Sequence, residues 1–291
     1  MDRGQGSPIQ LHLVRDLSFQ LSSLIPPPIS NLRSPNSDLR TPNSDLLSLA
    51  RSRGWRSIEW RGGPPPTPDA APSQTFYRHT LDLTDGPDAL FDRCDPATRR
   101  AVRKAKQAGL EVEIGHTLGA LHEFYALHIR TRRKHGLPPQ PFSFFLALHD
   151  EIISRGHGFI AVARHGLRPV AAAVFLHFGS RAVYKYGASD DTELPLRANN
   201  LVMWHSIRWL SEHGFESLDF GRTSLNQDGL RRFKLGWGTA EHTLHYYRYC
   251  LRTNQFVTVP DRAHGWHNRV FARLPLVANR LLGAMLYRHL D

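Results

Sequence analysis

The sequence predicts an α/β (α+β) fold: one mixed, mainly antiparallel sheet with helices on both faces. Three observations predict it. Over residues 110–249 the hydrophobic periodicity reads strand, two helices, three strands, helix, strand, helix, strand. Within that run, 170–178 is apolar on both of its alternating faces, as a central, covered strand must be. Polar clusters at 184–190 (YKYGASD), 197–200 (RANN), 219–224 (DFGRTS) and 230–238 (LRRFKLGWG) fall where strands end, which is where open α/β sheets place their ligands.

Composition bounds the reading. The 291 residues are 41% hydrophobic and 22% charged, enough to bury the core of one large domain or two small ones. Lysine and arginine number 37 against 26 acidic residues, a net charge of +11. That favours polyanionic partners or phosphate-bearing substrates, or it is simply an arginine-rich surface. Only Cys94 and Cys250 are present, without C-x-x-C spacing, so no zinc ribbon or disulfide scaffold is expected and a reducing cytoplasm is the default compartment. No secretory signal is read at the start, because Ser18, Gln20, Ser22 and Ser23 interrupt the apolar stretch at 17–25. Residues 270–290 carry Arg273, Arg280 and Arg288, so no run reaches the ~20 apolar residues of a membrane span. This tail, 251–291, reads as an amphipathic helix that caps the core or lies on a membrane surface, which would place the protein at the inner face of the inner membrane.

The elements follow in order. Residues 1–45 are a low-complexity leader: SPNSDL at 34–39 is nearly repeated as TPNSDL at 41–46, too short and polar to bury a core. In 46–95 a short helix, a strand at 55–60, a proline-rich loop and a strand at 76–83 are too little for a domain, and read as the remnant or edge of a first lobe. The main domain is expected over 96–250. Its first helix, 96–107, has Asp95 as N-cap, Pro96 at the first position and Gly109 past the end. Its face bears Arg99, Arg100, Arg103, Lys104 and Lys106, either solvated charge or a contact for tRNA or lipid phosphate. After a strand at 110–114, Leu121, Phe124, Tyr125 and His128 recur at i, i+3, i+4 and i+7 and mark a helix whose inner face includes a histidine. A second helix is predicted over 144–153, ended by Gly156. Strands at 159–164, 170–178 and 182–188 are joined by hairpins at Gly166 and at Gly179 with Ser180. A helix at 199–213 presents Leu201, Met203, Trp204, Ile207 and Leu210 to the sheet, and Gly214 ends it.

The chemistry-bearing residues lie at the strand ends. A helix beginning near Arg197 offers free N–H groups, a positive dipole end and a guanidinium, a site for phosphate or carboxylate; alternatively Asn199 merely caps the helix. Asp219 is placed at the carboxyl end of a short strand at 217–220, with Arg222 and Thr223 beyond. There it orients or deprotonates an amine, or pairs with Arg222 or a nearby lysine. Lys185 and Lys234 are the cations able to stabilise an oxyanion. Lys185 is predicted to face away from both Tyr184 and Tyr186. His242 and His245, three apart on a strand, point to opposite faces, so zinc is rejected. No G-x-S-x-G, Walker or H-E-x-x-H pattern occurs. Tyr246, Tyr247 and Tyr249 pack against the last helix or stack bases.

With YKYGAS, DFGRTS and FKLGWG in these positions, the chain over about 54–249 resembles the FemAB (Fem-type) aminoacyltransferases of the GNAT superfamily, including relatives associated with bacterial exopolysaccharide and exosortase systems. The likeness is specific in the second half and loose in the first. It implies a GNAT-like sheet preceded by a first GNAT-like lobe, here truncated. It also implies transfer of an amino acid from aminoacyl-tRNA, or of an acyl group from acyl-CoA, to an amine on an anionic or lipid-linked acceptor such as a peptidoglycan precursor. No tightly bound cofactor or metal is called for. The absence of glycine in 194–200 argues against coenzyme A as the donor. By position, the resemblance implies that Lys234, after Phe233, stands near the transferring carbonyl, and that 186–189 and 219–221 line a cleft between splayed strands. On this reading Lys234 and Asp219 are catalytic, and Arg197, Asn199 and Asn200 hold the donor. Tyr186, Ser189, Arg222, Thr223, Phe233, His128 and Arg132 face the acceptor. The rival reading is a catalytically inactive basic module that binds nucleic acid or anionic lipid.

Overall fold

The computed structural model describes residues 44–258 and 271–287. In chain order it contains α1 (Ser44–Ser52), β1 (Ser57–Arg61), β2 (Gln74–Asp82), α2 (Pro87–Arg93), α3 (Pro96–Gln107), β3 (Leu110–Gly115), α4 (Leu118–Lys134) and α5 (Phe142–Leu148). There follow β4 (Gly158–His165), β5 (Arg168–Phe178), β6 (Arg181–Ser189), α6 (Ala198–Glu212), β7 (Ser217–Ser224), α7 (Asp228–Leu235), β8 (Ala240–Cys250), β9 (Gln255–Phe256) and α8 (Leu276–Leu286).

One sheet joins all nine strands in the order β1-β8-β2-β7-β6-β5-β4-β3, with β9 on β8. Every pairing is antiparallel except β6 with β7. Strand alternation sorts the side chains of β4 and β5 onto two faces. Phe159, Ala161, Ala173 and Phe175 meet Val102 and Ala105 of α3 and Leu201, Trp204 and Ile207 of α6. On the other face Ile160, Val162, Val174 and Leu176 meet Leu121 and Phe124 of α4 and Phe145 and Leu148 of α5. Each large side chain so buried stabilises by roughly 1.5–3 kcal/mol, which is why the doubly apolar strand is central.

The two early strands are not set apart from this sheet. β2 lies inside it, with Thr80 opposite Asp219 of β7 and Phe76 opposite Leu244 of β8, and Leu81, Leu83 and Leu90 enter the same core as α6. The leader at 1–43 lies outside the described residues, as do 259–270 and 288–291; of the tail, α8 is described and packs on α4. No helix among the described residues is long and apolar enough to cross a membrane.

Four local expectations need correction. The strand expected to stop at Phe220 runs on to Ser224, because Gly221, at φ 70, forms a bulge against β2 instead of ending the strand. Tyr184 and Tyr186 do not share a face. The register places Phe175 opposite Tyr184 and Val174 opposite Tyr186, so Lys185 is the extra residue of a bulge, sending Tyr184 toward α6 and Tyr186 toward α4. The second helix begins two residues early and closes in a π turn, His149–Ile153. Finally α6 begins at Ala198 with Arg197 in the left-handed N-cap position, so Asn199 lies in the first turn and is not the cap.

Candidate active site

β6 and β7 pair only at Arg181 with Ser217, Ala182 with Leu218 and Val183 with Asp219. Beyond that point they part. The physical cause is a bulge on each strand, at Lys185 and at Phe220 with Gly221, since a bulge bends its strand and raises the local twist. The facing backbone edges past the fork have no strand ladder, and their polar groups must find other partners.

α7 supplies one. Lys234, in its last turn, donates from Nζ to the Gly221 carbonyl at 2.8 Å and the Arg222 carbonyl at 3.1 Å. The residue is 2% exposed. Burial pushes its pKa down to about 8, with the Asp219 carboxylate opposing that fall. Asp219 in turn accepts from the Gly221 N–H on Oδ1 at 2.7 Å and from Arg78 on Oδ2 at 2.8 and 2.7 Å. Its ion-pair partner is therefore Arg78, neither Arg222 nor a lysine. With one contact on Oδ1 and two on Oδ2, Asp219 holds the β7 bulge to Arg78 and orients what surrounds it. Lys234 and Asp219 thus grip one turn of β7, through its carbonyls and its amide respectively.

On the α6 side, Arg197 adopts φ 62, ψ 29 and no side chain caps the helix; the Asn200 and Leu201 amides donate back to the Arg197 carbonyl at 3.0 and 3.3 Å, so among the described residues the Ala198 and Asn199 N–H groups are the ones left open. The preceding turn is pinned by Asp190, which accepts from Arg168 at 2.6 Å, Arg130 at 3.2 Å and the Thr192 hydroxyl at 2.8 Å. Arg197, Asn199, Asn200 and Phe233 line a cavity of about 260 Å³ at this helix start. Arg197, Asn200 and Phe233 also line a larger cleft of about 600 Å³, shared with Arg100, Lys104 and Arg232. Phe233 thus borders both cavities at the α6 start.

The predicted acceptor set is divided between the α4 side and the β2–β8 region. Tyr186 packs at 5.3 Å from the Phe145 ring. Ser189 is tied through its backbone to Thr131 Oγ1, at 3.0 and 3.2 Å. Arg222 lies over the rings of Phe76 and Tyr246, at 4.9 and 5.5 Å. Arg132 donates from Nε and Nη2 to the Pro138 carbonyl, at 3.2 and 3.1 Å. His128 is 3% exposed, held at 2.9 Å from Gln140 Oε1, and burial pushes its pKa down to about 3; it is a neutral member of an aromatic cluster with Phe124, Phe145 and Tyr186. Thr223 is likewise fully buried. A third cavity, about 320 Å³, opens beside Asp219 between Arg78, Arg181 and His242. Sequence reasoning missed Arg78, Arg181 and Arg232. It saw Arg100 and Lys104 only as part of a basic helix; their i, i+4 spacing was the available signal that they share one face.

A mixed sheet forked between its two parallel strands, with an open helix start on one side, is the frame of a GNAT-type domain. The chain belongs to that family: the Acetyltransferase (GNAT) domain matches residues 96–244. Among curated proteins, the UDP-N-acetylmuramoylpentapeptide-lysine N(6)-alanyltransferase of Weissella viridescens is 24% identical over 158 residues, 53% of this chain and 46% of that protein. A lipid II:glycine glycyltransferase of Staphylococcus haemolyticus is 33% identical over 76 residues, 24% of this chain and 18% of that protein. The chain thus spans less than half the length of these relatives. The crystal structure of FemX superposes with a TM-score of 0.53 at 17% identity, covering 72% of this chain and 69% of that one. The Fem-type resemblance and the fold class read from the sequence are both borne out.

Proposed function

We propose that this protein is an N-acyltransferase that passes an acyl or aminoacyl group to an amine on an anionic cell-envelope acceptor. The observation that carries this is Lys234: a buried ammonium at the fork, with two N–H groups on backbone carbonyls and the third uncommitted among the described contacts. In the reaction the acceptor amine attacks the donor carbonyl carbon, and the C–O bond of an aminoacyl ester, or the C–S bond of a thioester, breaks. The negative charge that collects on the carbonyl oxygen meets the remaining Lys234 N–H in a nearly dry site, where one such donor is worth roughly 3–4 kcal/mol. The proton lost by the amine leaves with the departing oxygen or sulfur. Asp219 and Arg78 keep the β7 carbonyls where Lys234 needs them, while Arg197, Asn199 and Asn200 hold the donor phosphates at the α6 start. The printed names of the two curated relatives, one acting on a UDP-linked muramoyl pentapeptide and one on lipid II, favour a peptidoglycan precursor over an exopolysaccharide amine. The alanyl and glycyl groups in those names also favour an aminoacyl over an acetyl group as the one transferred.

The test is transfer to a UDP-linked muropeptide from aminoacyl-tRNA and, separately, from acetyl-CoA. Lys234→Ala is expected to lower kcat by about 10²–10³-fold. The wild-type rate is expected to fall as pH rises through about 8, where the ammonium loses its proton. A Lys234→Ala protein as fast as wild type would exclude this assignment. Salt-sensitive RNA retention without transfer from either donor would favour the inactive binding module instead.

A further inference from the structure

We infer that α3 and α7 build a second phosphate subsite beside the α6 helix start, so that the donor is gripped through phosphates at two separated points. Arg100 and Lys104, four apart on α3, face the same cleft as Arg197 and Arg232. All four are exposed, and among the described residues none makes an ion pair or hydrogen bond through its side chain. That contrasts with Arg78, Arg93, Arg164, Arg168, Arg231 and Arg248, each of which holds a carboxylate. No acidic residue lines the cleft. Four unpaired cations on three elements repel one another, and an anion spread across them relieves that repulsion.

The subsite is continuous with the α6 start. Arg197, Asn200 and Phe233 border both the 600 Å³ cleft and the 260 Å³ cavity, so a single ligand can run from one into the other. The Phe233 ring stands at that junction, beside Lys234, where a base or other planar group can stack. α3 is a fixed wall, since Val102 and Ala105 are fully buried in the core that α6 shares. The other basic residues of α3 are turned elsewhere: Arg99 donates to the Asp92 carbonyl at 3.0 Å, Arg103 lies 5.8 Å from the Phe91 ring centre, and Lys106 does not line the cleft. Only the Arg100 and Lys104 face therefore reads the ligand. The matching chemistry is a nucleotide with phosphates at two places, supplied either by the backbone of an RNA 3′ end or by coenzyme A with its 3′-phosphate. This rests on the reading that the α6 start holds the donor.

The experiment measures binding of a short RNA hairpin with a single-stranded 3′ end, of coenzyme A and of dephospho-coenzyme A, across a salt series, to wild type, to Arg100→Gln/Lys104→Gln and to Arg197→Ala. Both residues of the double variant are exposed, and an unchanged melting curve checks its fold. If RNA is the source, the double variant is expected to bind the hairpin about 10–100-fold more weakly, and the slope of log K against log salt should shrink by about 1.4 for two lost single-strand contacts. If coenzyme A is the source, the double variant loses affinity for coenzyme A while its affinity for dephospho-coenzyme A is unchanged. A double variant that binds all three probes as wild type does overturns the second subsite. In that case a loss confined to Arg197→Ala leaves the α6 site standing, whereas loss of transfer chemistry with the double-variant effect intact removes the proposed function and spares the subsite.

Discussion

Lys234 is a cation taken out of water and given two carbonyls in exchange, and the balance is visible in its pKa of about 8 against roughly 10.4 for a free lysine. Between those values the unfolded chain binds the proton and the folded chain does not, so stability rises with pH across that window. The burial penalty, about 3 kcal/mol, is felt in full below pH 8 and relieved above it. Urea melts at pH 7 and 9.5 are expected to show wild type gaining about 2 kcal/mol, with Lys234→Met losing that gain. Catalysis runs the other way, since the same deprotonation removes the oxyanion partner. His128 shows the limit of residue-level reading. The i, i+7 pattern put it on the inner face of α4, and the structure confirms that face, but inner meant core: Phe124, Phe145 and Tyr186 surround it.

Among the elements, the bulge in β6 does most to shape the cleft. It rotates Tyr184 onto the α6 face, where the ring crosses Gly187 so closely that a Cβ there would collide with the Tyr184 hydroxyl. The glycine in YKYGAS thus answers to packing between two residues of one strand. Gly187→Ala is expected to displace that ring and destabilise by roughly 1–3 kcal/mol, read as a shift in the denaturant midpoint, with transfer activity falling further than stability because the fork is deformed. The helix and strand boundaries of this region were legible from periodicity, and α3 falls at the predicted residues. The bulges were not, because a single extra residue barely perturbs an alternating pattern yet inverts every face beyond it.

Across the described residues, 44–95 share one sheet and core with the rest of the chain. β2 carries Arg78 to Asp219 and sends Leu81 into the core beneath α6, while α1 and β1 close the edge through Leu47, Ala50, Ile58 and Tyr249. A fragment of residues 96–291 would leave β7 and β8 without the strand between them. It is expected to give no cooperative thermal transition, checked by calorimetry against the full chain. The net charge of +11 gains meaning at the same scale, since the unpaired share that lines the large cleft comes from three elements far apart in sequence.

By itself the sequence determined the class of fold, the order of elements from Leu110 onward and the neighbourhood of Lys234, because those follow from local periodicity, turn residues and a short motif. Tertiary structure alone decided that β2 threads between β7 and β8, that Arg78 takes Asp219, and that Arg100, Lys104, Arg197 and Arg232 converge. Such contacts join residues far apart in the chain, Arg78 and Asp219 by 141 positions, and nothing in local hydrophobic pattern encodes which distant charges meet.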